Sequence, residues 1–212
     1  MPTPDPIHVE LVREMEGNLA RHGDSFQGVG WTKSQANANL RYQVMLELIR
    51  ERGPASLLDF GCGAAHLLDH LVAGNLADVA YSGLDLSGEY LKLCRAKHPE
   101  SIFYQDDVLS PDARVPVHDY VVMNGIFNYK GSHSFDEMWK YCQSLLLSVD
   151  KLARKGFAFN AMTKHVDWER DDLFHLPIGL VTDFVAERIS RNFVIRHDYG
   201  LYEYTVYVYR QN

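Results

Sequence analysis

The sequence predicts an α/β fold: a mostly parallel sheet with helices on both faces, closed by a C-terminal antiparallel hairpin. Three observations predict it. Residues 56–161 alternate between short apolar runs and amphipathic stretches of helical period. Phe193–His197 and Tyr202–Tyr209 are β-rich runs joined by about four residues, too few for a parallel crossover. Leu57-Leu58-Asp59-Phe60-Gly61-Cys62-Gly63-Ala64-Ala65 ends an apolar run in an acid, turns on two glycines and enters a helix-forming segment. Glycines let backbone approach a ligand, and a helix start presents free N–H groups.

The elements follow in order. Residues 7–22 read as an amphipathic helix with Ile7, Leu11, Met15 and Leu19 on one face. After the Gly28/Gly30 loop, a second helix spans 34–52 and stops at Gly53-Pro54. Strand 56–60 leads to helix 64–73, strand 79–85 to helix 87–97, and a short strand follows at 101–105. Strand 119–124 leads to helix 134–153, and strand 156–161 to helix 177–191. The tyrosines at 202, 204, 207 and 209 change face between 204 and 207, which reads as sheet packing. Arg196 and Asp198 share a strand face while His197 points away, which reads as a structural polar pair.

The chain has 212 residues, 46% of them hydrophobic, enough for one domain with a sizeable core. Residues 1–54 read as a helical cap and 55–212 as the core of that domain. A net charge of −7 leaves no electrostatic footprint for nucleic acid. No stretch approaches the ~20 apolar residues of a membrane span. Met1–Pro6 lacks the charged start and apolar core of a signal peptide. Cys62, Cys94 and Cys142 are scattered, which points to reduced thiols in a cytoplasmic protein. His165, Asp167 and His175 share a loop without compact ligand spacing, so no metal is expected.

Chemistry-bearing residues fall at the carboxyl ends of successive strands, where open α/β sheets bind ligands. Asp59, Gly61, Cys62 and Gly63 follow the first strand, and Asp85 and Leu86 the second. Asp106, Asp107 and Val108 follow the third, and Asn124-Gly125 the fourth. A carboxylate after the second strand can accept both hydroxyls of a ribose. An acid after the third can receive an adenine amino group, a role open to Asp107 or Asp106. As a dinucleotide fingerprint the loop fails, because His66 stands at the third glycine position.

These residues resemble the class I S-adenosylmethionine-dependent methyltransferases over roughly residues 55–210. The resemblance implies a Rossmann-like seven-stranded sheet, S-adenosyl-L-methionine as cofactor and S-adenosyl-L-homocysteine as product. It implies that Gly61 and Gly63 border the methionine part, with Asp59 and Cys62 in the same cofactor loop. It implies that Asp85 holds the ribose with Leu86 against the adenine, and that Asp107 and Val108 bind the adenine edge. The Asn124 backbone would reach the methionine ammonium. Ala65 stands where many members carry a third glycine, so an adjusted loop is expected. The flanks resemble a narrower group of bacterial stand-alone methyltransferases of undefined substrate, through Gly30-Trp31, Arg41, Gly125–Asn128, Arg196–Tyr199 and Glu203–Thr205.

Trp31 and Arg41 are candidates to cover the cofactor or pair with its carboxylate; a packed aromatic and a surface charge are the alternative. Tyr129 and His133 are candidate catalytic groups for a hydroxyl acceptor; exposed loop polarity is the alternative. Asn124-Gly125-Ile126-Phe127 departs from the Asn/Asp-Pro-Pro-Tyr pattern of amino-directed nucleic-acid methyltransferases. With the acidic charge, this favours methylation of a small molecule or glycan intermediate, at oxygen. A protein or tRNA acceptor, and a catalytically silent cofactor-binding protein, are the competing readings. Oligomeric state is not legible in the sequence.

Overall fold

The computed structural model describes residues 7–31, 35–76 and 78–210. The expected helix start at 34 and the terminal residues 1–6 and 211–212 lie outside them. Helices α1 (Ile7–His22) and α2 (Gln35–Leu46) precede the alternation. It then runs β1 (Ala55–Phe60), α3 (His66–Ala73), β2 (Val79–Asp85), α4 (Gly88–Lys97) and β3 (Ile102–Gln105). It continues with β4 (His118–Phe127), α5 (Phe135–Leu152), β5 (Ala153–Met162), α6 (Ile178–Arg188), β6 (Phe193–Arg196) and β7 (Glu203–Tyr209).

The strands form one seven-stranded sheet in the order β3-β2-β1-β4-β5-β7-β6. Pairing is parallel from β3 through β5, and β7 inserts antiparallel between β5 and β6. The mostly parallel sheet with an antiparallel end is the one the sequence predicts. β1 sits between β2 and β4, so strand order reverses there, and such a reversal opens a crevice for a ligand.

The period-2 pattern divides the core between two faces. Val121, Met123, Phe157, Phe159, Tyr204 and Val206 pack with the apolar stripes of α5 and α6. Tyr120, Val122, Ala158, Tyr207 and Tyr209 pack with α2 and α3 on the other side. The tyrosines thus change face as expected, except that Tyr202 is 63% exposed. Arg196 and Asp198 do pair, at 2.7 Å.

Several boundaries move for identifiable reasons. α2 stops at Leu46 rather than 52: Leu48 N and Ile49 N bond three residues back, tightening the last turn. Val44 O there accepts both Glu47 N–H at 3.2 Å and the Tyr207 hydroxyl at 2.7 Å. α3 begins at His66 because Ala65 is left-handed, with φ 58°. α6 ends at Arg188, where Ile189 N and Ser190 N both return to Val185 O. β4 runs on to Phe127 through a register shift after Met123. Phe127 anchors that tip: it is fully buried, edge-on to Phe159 at 5.7 Å, and such burial contributes about 1.5–3 kcal/mol. α1 differs from every other helix in having no buried residue.

Candidate active site

The loop after β1 is shaped by backbone geometry. Gly61 and Gly63 have φ of +71° and +50°. A Cβ on Gly61 would stand 2.1 Å from Ile126 Cδ1, so glycine is what lets the β1 and β4 tips meet. Gly61 N and Cys62 N donate to Leu84 O at 2.7 and 3.0 Å, tying the loop to β2. Ala65 takes the left-handed conformation itself, at a cost of about 1–2 kcal/mol for a residue with a Cβ. No side chain caps α3, so its first N–H groups remain available to a ligand.

The carboxylates at the strand ends converge on one crevice. Asp85 accepts Gly63 N–H on Oδ2 and Ser87 N–H on Oδ1, each at 2.9 Å. Burial raises its pKa, and those backbone bonds oppose the rise. Asp59 is 4% exposed, and burial pushes it up to about 7 against the pull of the Tyr81 hydroxyl at 2.9 Å. Asp107 Oδ1 accepts Leu109 N–H at 2.9 Å, and Asp106 Oδ2 accepts Arg114 N–H at 2.7 Å. All four acids line the crevice, together with Gly61, Cys62, Gly63, Leu86, Val108 and Asn124. The Asn124 carboxamide is the exception in its bonding: Nδ2 and Oδ1 are both buried without a partner.

The remaining candidates separate. Trp31 and Tyr129 line the crevice; Arg41 and His133 do not. The expectation that Arg41 meets a cofactor carboxylate does not fit its placement. Its Nε donates to both oxygens of buried Glu203, at 2.8 and 3.0 Å, and its guanidinium lies 5.2 Å from the Trp31 ring centre. His133 turns to α1, with Nε2 3.0 Å from Glu10 Oε2, which removes it from the acceptor side. Burial and the Glu14 carboxylate push the Tyr129 hydroxyl up to about 12, so it is a hydrogen-bonding phenol at neutral pH. The Cys94 thiol and burial push the Cys62 thiol up, which makes it a packing group.

Sequence reasoning missed the outer wall. His8, Leu11, Val12 and Met15 of α1 close the crevice, and Tyr141 of α5 adds an aromatic ring stacked on His8 at 6.3 Å. The signal was present in the apolar face of α1, which meets a cavity as well as core. Three carboxylates of α1 reach groups around it: Glu10 to His133, Glu14 to Tyr129, and Glu16 to Ser87 Oγ at 2.6 Å.

Known proteins resemble this chain in sequence and in fold. A protein of Mycobacterium tuberculosis named as a methyltransferase is 33% identical over 169 residues, 77% of this chain and 98% of its own length. The chain belongs to the methyltransferases. Its fold is that of class I, the S-adenosylmethionine-dependent enzymes. Magnesium protoporphyrin IX methyltransferase from Synechocystis PCC 6803, solved with S-adenosylmethionine, superposes with TM-score 0.66 at 13% identity, covering 100% of both chains. The plantazolicin methyltransferase BpumL, solved with S-adenosylhomocysteine, gives 0.62 at 11% identity over 94% of this chain and 90% of that one. The small RNA methyltransferase HEN1 gives 0.58 at 16% identity over 82% of this chain and 25% of that one. No protein-family profile matches the methyltransferase chain.

The residues present fit the family's methyl donor. The orphaned Asn124 amide, the two left-handed glycines and the uncapped α3 N-terminus offer an amino-acid head what it needs. Each Asp85 oxygen accepts one backbone N–H and keeps a lone pair for a further donor such as a hydroxyl.

Proposed function

We propose that this methyltransferase transfers a methyl group to a hydroxyl oxygen of a small molecule or glycan intermediate. Residues 1–54 act in this reading as a cap on a 55–212 core. The observation that carries it is the sign of the cavity wall. Among the described lining residues, Asp59, Asp85, Asp106 and Asp107 supply carboxylates, and no Lys or Arg is present. Glu14 and Glu16 of α1 reach Tyr129 and Ser87 of the same lining. Such a wall attracts a donor of net positive charge and disfavours a phosphate-rich chain. A cytoplasmic setting belongs to the same reading, supported by the buried free thiols of Cys62, Cys94 and Cys142. No described helix is long and apolar enough to cross a membrane.

The bound sulfonium supplies a methyl group that is already activated, so the protein's task is positioning and exclusion of water. Asp85 would accept the ribose hydroxyls, and Asp107 with Val108 the adenine edge. Gly61, Gly63 and the α3 N-terminus would receive the amino-acid head. Leu11, Val12 and Met15 exclude water from the methyl. Tyr129 orients the acceptor hydroxyl, and Glu14 behind it takes the proton.

Two measurements test the reading. Calorimetric titration with S-adenosylhomocysteine should show binding that Asp85→Ala weakens at least about tenfold, since a charged hydrogen bond is worth roughly 1.5–3 kcal/mol. Isotope-labelled methyl transfer into fractionated extract should place label in small-molecule or glycan fractions. Label in RNA or protein sinks the acceptor assignment, and tight binding with label nowhere favours a silent binder.

A further inference from the structure

The tip of β4 is held from a distance. Gly125 N–H donates to Asn160 Oδ1 at 2.7 Å, and Asn160 Nδ2 donates to Glu203 Oε1 at 3.0 Å. Glu203 in turn accepts Arg41 Nε on both oxygens. Four elements are linked in this way: α2, β7, β5 and β4. Asn160 and Glu203 are 0% and 1% exposed, so a carboxylate has been taken out of water beside an amide. Apolar residues of similar volume would fill that space without the desolvation cost, so stability alone does not explain the charges.

A second arm reaches the same point. Gly125 has φ +83°, and a Cβ there would lie 3.1 Å from Trp31 Nε1. The Arg41 guanidinium packs over that Trp31 ring. Both arms start at Arg41 and converge on Gly125. One residue earlier, Asn124 presents to the crevice a buried amide with neither its donor nor its acceptor used. An amide of that kind complements a zwitterion, accepting from an ammonium and donating to a carboxylate.

We infer that Arg41, Glu203 and Asn160 are positioning residues that aim the Asn124–Gly125 tip at the amino-acid head of the methyl donor. The inference rests on the S-adenosylmethionine reading. It also gives a purpose to Arg41 and Glu203, which do not themselves line the crevice.

The test compares two probes on the full chain, S-adenosylhomocysteine and 5′-methylthioadenosine, which lacks the amino-acid head. Asn160→Ala should weaken S-adenosylhomocysteine by about fivefold or more and leave 5′-methylthioadenosine within about twofold. Asn124→Ala should give the same selective loss. Arg41→Lys keeps the charge and drops the Nε fork, so a smaller selective loss is expected. Equal weakening of both probes, or no change in either, overturns the inference. Should Asn160→Ala fail to fold, Arg41→Lys decides: selective loss supports the network, unchanged S-adenosylhomocysteine binding overturns it. Wild type that binds neither probe sinks the donor reading itself.

Discussion

The strand-end loops and α1 wall the same crevice by opposite means. The loops grow out of a sheet whose Leu57, Leu58, Val121 and Val122 are fully buried. α1 has no buried residue: Ile7 and Leu11 rest partly buried on the core, and polar contacts add to that hold. Ser87 Oγ donates to Glu16 at 2.6 Å, the Tyr90 hydroxyl donates to Met15 O at 2.9 Å, and His8 lies 3.6 Å from Asp107. Moving a loop means breaking the core, at a cost near the global stability. Moving α1 means baring the partly buried Ile7 and Leu11 and exchanging a few hydrogen bonds with water, each worth about 0.5–1.5 kcal/mol. In the proposed reading the donor is gripped from the rigid side, and α1 is the wall that yields to let it in and out.

Four perturbations can break or sharpen that contrast. The largest effect belongs to the rigid side. Arg41→Ala leaves the Glu203 carboxylate buried without its cation, and should cost about 3 kcal/mol in denaturant unfolding. A loss below about 1 kcal/mol would show the β4 brace to be slack.

Next comes pH. Burial holds the folded-state Asp59 pKa at about 7, above its ordinary 3.8. Ionisation is thus harder in the folded protein, and the stability present below about pH 4 is lost as pH rises through about 7. Asp59→Asn should keep the Tyr81 bond and flatten this part of the curve, by up to a few kcal/mol between about pH 4 and 8. A curve identical to wild type would place the Asp59 charge in a wetter setting.

On the mobile side, Glu16→Ala removes one tie of α1. Amide exchange in 7–22 should speed up about fivefold while the core unfolding midpoint stays put. A matching fall in the global midpoint would erase the distinction between the two walls. The smallest effect is Ala65→Gly. Relief of the left-handed alanine gains about 1–2 kcal/mol, against about 0.5–1 for glycine entropy and about 0.8 for the lost buried methyl. Stability should stay within about 1 kcal/mol of wild type, with S-adenosylhomocysteine affinity unchanged.

What the sequence revealed divides along the same line. Strands, the glycine loop and the acids at strand ends follow from local period and local turn chemistry. Asp59, Asp85, Asp107 and Asn124 were therefore legible as neighbours in space. The Arg41–Glu203 pair was not, because its partners stand 162 positions apart and nothing local links them. The Tyr207 hydroxyl of β7 that meets Val44 O at the end of α2 is likewise a distant partner. The Ile7-Leu11-Met15 face announced a helix but not its partner, since a cavity and a core impose the same apolar pattern. His8 and Tyr141 were hidden for that reason.

The place of β7 has a consequence for timing. Synthesis runs from the N-terminus at about 5–20 residues per second, so β1 to β5 leave the ribosome before β7. Yet β7 lies inside the sheet, between β5 and β6, and it carries Glu203. A nascent chain can hold every acid of the crevice while the β4 tip still lacks its brace. On the role inferred for that brace, a firm grip on the methyl donor waits for the arrival of one late strand.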